Sequence, residues 1–367
     1  MLYFWPFFFS FLATCFFVPL VRWVAVRLWQ WPRRKKDTHL GNIPRWGGAA
    51  LIIVFWLAVF IDKNLVVDKP LWGVLIASAV ILFFGVWDDL KELGAGAQIA
   101  VQVAAALMII GGGVAVDYLR NPFGGIIRLD VWQLSIFNFH FSVFGSIFIV
   151  LWIVLIMNVI NWLDGLNGLA GGVSLIGFLA IFLLSISPIV NQPPIGILAM
   201  ILAGALLGFL IFNFPRAKTG SGPVWLSWSR SGVEKGAWRG VIFLGTSGSM
   251  FLGFMLGSLS IFSGSKVATA FLVLGVPILD AIWVIWQRFR SKTPIYQGDQ
   301  RHLHHKLLRL GLSQRQIALL YLLISIVFGV VALITGTGGK LLAFLALCAI
   351  MGIIIFSLWV KGDKGNF

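Results

Sequence analysis

Apolar runs of about 20 residues, the length a helix needs to cross a bilayer, recur along this 367-residue chain. Lipid offers a backbone no hydrogen-bond partners, so each run must close its own bonds as a helix. The sequence is 59% hydrophobic and only 11% charged, with a mean hydropathy of +0.95. A soluble core of that size would need far more polar surface around it. The pattern predicts an all-α polytopic membrane protein, a single integral-membrane domain over residues 1–367. About eleven transmembrane helices are expected, near 3–26, 47–61, 71–87, 95–114, 143–162, 168–187, 195–212, 241–262, 267–287, 316–335 and 340–359.

The first run, Leu2 to Val26, has no basic stretch before it and is followed by Arg33, Arg34, Lys35 and Lys36. That order suits a retained anchor rather than a cleaved signal. With the N-terminus outside, twenty-one Lys and Arg fall in 27–46, 88–94, 163–167, 213–240, 288–315 and the tail from 360. Six fall on the other side: Lys63, Lys69, Arg120, Arg128, Lys266 and Lys340. This asymmetry predicts N-out, C-in. It also accounts for the net charge of +15 without a nucleic-acid partner. Cys15 and Cys348 lie inside apolar runs and read as packing residues. Segment 115–142, with Pro122 and Gly124-Gly125, predicts a short outside hairpin. No internal repeat is visible, which weighs against a transporter.

The ionisable residues gather on the cytoplasmic side. Asp88, Asp89, Glu92, Asp164 and Asp299 lie there, with His39, His302, His304 and His305; His140 does not. "GVWDDLKELG" (85–94) sets two carboxylates side by side, with Lys91 after them. Adjacent carboxylates repel, and a magnesium ion relieves the repulsion. A solvated helix end with a salt bridge is the equal alternative. "NVINWLDGLNGLAGG" (158–172) places Asp164 with Asn158, Asn161 and Asn167 at a helix mouth. Gly165 and Gly168 permit a tight turn and a close backbone approach, suited to a metal-bound phosphate. Asparagines capping a polar loop are the alternative. "GDQRHLHHKLLRLGLS" (298–313) joins His302, His304 and His305 to Arg301 and Lys306. The histidines do not fit one helical face and are expected to begin on a loop. Without a cysteine or an HExxH pattern, anion binding is preferred to zinc; a basic membrane-surface loop is the rival. Gly47 and Gly48 in "HLGNIPRWGGAA" (39–50) are a weaker phosphate-approach signal.

Together these four stretches resemble the polyprenyl-phosphate N-acetylhexosamine-1-phosphate transferase family, over roughly residues 33–315. The matching signatures are DDxxK in "DDLK", NxxNxxDGL in "NVINWLDGL" and HxHH in "HLHH". The resemblance implies transfer of a sugar 1-phosphate from a UDP-sugar to a lipid phosphate, with magnesium (or manganese), releasing UMP. "DQRHLHH" and "IPRWGG" are similar to the branch that uses UDP-N-acetylglucosamine; the branch that uses UDP-N-acetylmuramoyl-pentapeptide is the alternative. The implied partners are a UDP-N-acetylhexosamine and undecaprenyl phosphate in the bacterial inner membrane, with a homodimer as the assembly considered. Asp88 and Asp89 match the residues for metal binding and for activating the lipid phosphate, and Asp164 matches a metal-site aspartate. Gly165, Leu166, Asn167, Asn213 and Phe243 match the uridine pocket; His302, His304 and His305 match the box contacting diphosphate or sugar. Asn158, Asn161, Lys91 and Arg301 complete the expected substrate-binding set.

The chain departs from the family pattern in three places. Asn167 stands for an aspartate, and its amide can still bond a uracil edge. Thr246, in "FLGTSGSMFLG" (243–253), stands for an aspartate that is a metal ligand in the family, and a hydroxyl is a far weaker magnesium ligand. Residues 219–240 read as a loop insertion whose Trp225, Trp228, Trp238 and basic residues suit a lipid interface, with a plain flexible loop as the equal alternative. Thr246 motivates one rival, a silent homologue that binds without transfer. The other is a transporter whose polar loops form a substrate gate; only Asp280 lies clearly inside a predicted span, which weighs against it.

Overall fold

The computed structural model describes residues 1–28, 43–121, 123–136, 139–215, 242–262, 267–293 and 301–360. The long insertion expected at 219–240 lies outside them. The chain runs as α1 (Phe4–Leu28), α2 (Gly47–Ile61), α3 (Lys69–Lys91) and α4 (Ala95–Gly111). Four short strands follow: β1 (Tyr118–Arg120), β2 (Ile126–Arg128), β3 (Gln133–Ile136) and β4 (Phe139–Ser142). Then come α5 (Val143–Leu163), α6 (Leu169–Ser185), α7 (Pro193–Asn213) and α8 (Gly245–Ile261). The rest is α9 (Val267–Val273), α10 (Gly275–Arg290), α11 (Leu303–Arg309), α12 (Gln314–Ile334) and α13 (Thr337–Val360).

Six of these helices are long and apolar enough to cross a membrane, and α9 with α10 makes a seventh if the bent pair is one span. The protein is therefore a mostly helical, polytopic membrane protein. Each expected run is helical, but α2, α4 and α6 are shorter apolar helices. The run expected as one helix over 267–287 is broken, with α9 and α10 at 76°. Pro277 has no N–H to donate, so it fits only the first turn of a helix, and α10 restarts just before it. The single hairpin expected over 115–142 is two: β1 pairs with β2 and β3 with β4, both antiparallel. Gly124 and Gly125, at φ +116 and +76, make the first turn.

The ends of the helices obey local rules. Asp68 caps α3 by accepting from Leu71 N at 3.1 Å, with Pro70 in the first turn. Ser313 and Gln316 form a reciprocal capping box on α12.

The centre of the bundle is α8. All of its residues are buried, packed by α2, α3, α5 and α6. Its sequence is rich in glycine and serine, because lipid drives no hydrophobic association and close backbone approach must supply the contact. A Cβ on Gly48 would strike the Gly248 backbone, and one on Gly85 would strike Ser247. Phenylalanines of α1 and α3, among them Phe8, Phe16 and Phe83, face outward. Those faces suit lipid. The starts of α2 and α8 and the ends of α3, α5 and α7 meet at one end of the bundle, and the polar motifs lie there.

Candidate active site

Asp88 and Asp89 sit in the last turn of α3, both buried. They face the N-terminus of α8. Thr246 N donates to Asp89 Oδ1 at 2.9 Å, and Ser247 Oγ donates to Asp89 Oδ2 at 3.3 Å. A helix start presents unpaired N–H groups and partial positive charge. Asp89 therefore caps α8 from another helix. Gly245 makes room for this: its φ is +76, and a Cβ there would collide with the Arg45 carbonyl oxygen and sit 2.6 Å from Asp89 Oδ2.

Among the described residues, Asp88 accepts from at least three donors. Three of them are Leu93 N at 2.8 Å, Gln98 Nε2 at 2.9 Å and Thr246 Oγ1 at 2.6 Å. The Thr246 hydroxyl is thus spent as a hydrogen-bond donor to Asp88. An aspartate at that position would add a third carboxylate and demand a cation between them. Lys91 is exposed in the same last turn of α3.

The second group of residues is built on the α5–α6 turn. Asp164 is the C-cap of α5 and half-buried. A Cβ on Gly165 would lie 2.9 Å from His304 Nε2 and 3.4 Å from His305 Nε2. Glycine is what lets the histidine segment lie on this turn. Gly168, at φ +75, starts α6, and its N–H donates to Asn213 Oδ1 at 2.7 Å. Asn213 Nδ2 donates to the Ile242 carbonyl at 2.9 Å, so this one amide joins the end of α7 to two loops. Leu166 and Asn167 are buried, and Asn167 Oδ1 has no partner among the described residues. Phe243 is half-buried, and its backbone pairs with Pro44 and Gly47.

His302 ends the preceding loop and is the N-cap of α11; His304 and His305 lie in its first turn. His302 Nδ1 pairs with Asp280 Oδ2 at 2.9 Å, and Leu303 N donates to Asp280 Oδ1 at 2.8 Å. Asp280, on α10, thus ties down the start of α11 and is not a charge waiting in a transport path. Because a carboxylate accepts, His302 Nδ1 carries a proton in this pair. Its ring lies 5.7 Å from Trp162 and 5.6 Å from His304. Arg301 donates to Ser291 Oγ at 2.9 Å.

His304 is buried with neither ring nitrogen bonded among the described residues. Burial first, then His305 and His302, hold its pKa well below the usual histidine value. A depressed folded value means the unfolded chain takes the proton first as pH falls. This site's contribution is whole above the unfolded value of about 6.5 and is lost as pH drops through it toward the folded value. Thermal melting followed from about pH 7.5 down to 5.5 should fall, and His304→Gln should flatten that fall.

Two bridges join the groups. Ser249 Oγ on α8 donates to Asn161 Oδ1 at 3.1 Å. Asn158 and Gln102 exchange amide bonds, with Asn158 Nδ2 donating to Gln102 Oε1 at 2.8 Å. Gln98, Gln102, Ser247, Ser249 and Asp280 were not among the expected site residues. Their signal was polar groups inside apolar runs, with Gln98 and Gln102 four apart on one helical face.

Among the described residues, no three His, Cys, Asp or Glu side chains gather as a group that could hold a metal ion. Asp88, Asp89 and Asp164 are therefore not a preformed cage. They do fit a magnesium ion that keeps waters and arrives on substrate phosphates, which needs only one or two carboxylates.

The model of the family described as glycosyl transferase family 4 matches residues 71–264, more than half of the chain. The chain belongs to this family. One relative in it is the "Probable undecaprenyl-phosphate N-acetylglucosaminyl 1-phosphate transferase" of Bacillus subtilis (strain 168). It is 30% identical over 355 residues, 95% of this chain and 88% of that protein. The "Decaprenyl-phosphate N-acetylglucosaminephosphotransferase" of Mycobacterium leprae (strain TN) is 32% identical over 359 residues, 88% of this chain and 82% of its own. The "Undecaprenyl-phosphate alpha-N-acetylglucosaminyl 1-phosphate transferase" of Escherichia coli (strain K12) is 25% identical over 315 residues, 83% and 76% of the two chains. For a family 4 glycosyl transferase, the matched segment holds both aspartate motifs and Thr246, while the histidine segment follows it.

Proposed function

We propose that this family 4 enzyme transfers N-acetylglucosamine 1-phosphate from UDP-N-acetylglucosamine to undecaprenyl phosphate. UMP is released, and a lipid-diphosphate-sugar for cell-envelope polysaccharide is formed. The observation that carries this reading is the convergence of the aspartate pair, the Asp164 turn and the histidine segment at one end of the bundle. The relatives' names support N-acetylglucosamine over the muramoyl-pentapeptide branch. The site end faces the cytoplasm of a bacterial inner-membrane, multi-pass protein with eleven spans and its N-terminus outside. The reading is for one chain: no feature of the described residues supports the homodimer.

The residues divide the work as follows. The unpartnered Oδ1 of Asn167 suits the uracil N–H, with Gly165, Leu166, Asn213 and Phe243 shaping the pocket. His302, His304, His305 and Arg301 surround the diphosphate, and Lys91 serves the approaching lipid phosphate. Magnesium, or manganese in its place, would be held by Asp164 and the phosphates beside Asp88 and Asp89 and would neutralise diphosphate charge. A lipid phosphate oxygen attacks the β-phosphorus. The bond from that phosphorus to the bridging oxygen breaks, and the oxygen leaves on UMP. Asp88 or Asp89 orients the acceptor phosphate or takes its proton. Asn158 and Asn161 hold α5 in register beneath the turn.

The test is UMP release by purified protein in detergent with undecaprenyl phosphate, UDP-N-acetylglucosamine and magnesium, with Thr246→Asp alongside. Lipid-dependent UMP is expected from the natural protein. Silence there with activity in Thr246→Asp would mark a disabled metal site. Silence in both, with other UDP-sugars tried, would end the reading.

Asp280→Asn separates positioning from packing. The new amide donates to His302 Nδ1 and moves the ring proton to Nε2. Turnover should fall about 10- to 100-fold, with a shifted pH profile and recovery in Asp280→Glu. An unchanged pH profile would leave Asp280 a purely structural tie.

A further inference from the structure

A cavity of about 1060 Å³ lies between α10 and α13; none of its lining residues belongs to the site motifs, and Ser291 at its edge accepts from Arg301. Its chemistry changes in order along α10. Leu279 and Ile282 line its apolar part, with Met351 and Ile355 of α13. Toward the site end of the helix come Trp283, then Gln287, then Arg290. Gln287 is only 4% exposed, yet neither its Oε1 nor its Nε2 has a partner among the described residues. Trp283 Nε1 is likewise buried and unpartnered. In a lipid environment such groups are costly unless something in the cavity bonds them. Arg290 is exposed at the mouth, its guanidinium 5.5 Å from the Trp286 ring, with no carboxylate partner among the described residues.

We infer that this cavity holds one anionic glycerophospholipid of the surrounding bilayer, with its phosphate at Arg290. The ester carbonyls accept from Gln287 Nε2 and Trp283 Nε1, a headgroup hydroxyl donates to Gln287 Oε1, and an acyl chain runs past Leu279 and Met351. The order of groups decides between lipids. A polyprenyl phosphate joins its phosphate directly to hydrocarbon and has no ester carbonyl for Gln287 or Trp283. A zwitterionic headgroup would bring a second cation to Arg290.

Native mass spectrometry of the detergent-purified full chain tests this, with phosphatidylglycerol, phosphatidylcholine and undecaprenyl phosphate as probes. Phosphatidylglycerol should be retained in preference to phosphatidylcholine. Arg290→Glu and Gln287→Leu should each weaken its retention by about tenfold, the weight of one charge-assisted or buried hydrogen bond. Gly352→Phe fills the cavity from α13, where a Cβ meets nothing within 4 Å, and should remove the bound lipid while sparing every polar group. Equal retention of both phospholipids by the natural protein would overturn the inference, as would retention of phosphatidylglycerol in folded Gly352→Phe. Displacement of phosphatidylglycerol by equimolar undecaprenyl phosphate would overturn it too, because the cavity would then belong to the acceptor.

Discussion

Asp88→Asn lowers lipid-dependent UMP release by about a thousandfold or more, the scale of losing a preorganised charged group from a reaction centre. The protein should stay folded. The reason lies in the three donors that converge on Asp88 from Leu93, Gln98 and Thr246. An asparagine keeps its carbonyl oxygen for Leu93 N and Gln98 Nε2 and turns its amide onto the Thr246 hydroxyl, which can accept, so the fold is kept while the charge is lost. Asp89→Asn should lose turnover on the same scale but carries a second cost. Asp89 caps α8 in trans through Thr246 N; asparagine can keep that bond, so the added cost is the lost negative charge at the helix start, about 0.3–1 kcal/mol. UMP release and thermal melting in one detergent separate the two effects. Natural turnover in both variants would remove the pair from the mechanism.

Gly48→Leu should prevent assembly of the bundle. A Cβ at position 48 meets the backbone of Gly248, not the far end of a flexible side chain. Backbone cannot swing aside, so α2 would have to leave α8. The same step breaks the hydrogen bonds from Gly47 N and Gly48 N to the carbonyls of Phe243 and Leu244, both 2.9 Å or less. A loss of more than about 3 kcal/mol is expected, seen as aggregation on size exclusion or a collapsed melting transition. A monodisperse Gly48→Leu protein with normal melting would show that the α2–α8 contact is looser than the geometry gives. Gly94→Ala is the control, since a Cβ there meets nothing within 4 Å.

The helical runs were legible because lipid leaves an apolar segment few options, and the motifs were legible because carboxylates and histidines stand out against it. The break at Leu274 was also written in the chain, as Gly275 and Pro277, but the close packing of Leu347 of α13 on Gly275 was not. Hydropathy does not reveal that contact. The trans cap of α8 by Asp89 joins residues 157 apart in sequence, so no local pattern could announce it. Asp280 drew notice as the one charge clearly inside a predicted span, too little to build a transport path on. Only the position of His302 shows what the charge is for.

The Thr246 hydroxyl has a consequence for how this enzyme meets chelators. Where three carboxylates face one another, removing the cation leaves mutual repulsion and the bundle end loosens. Here the neutral donor at 2.6 Å quiets Asp88 without any ion. EDTA should therefore stop turnover yet leave the melting temperature of the natural protein where it was. Thr246→Asp should become an enzyme whose thermal stability rises and falls with free magnesium.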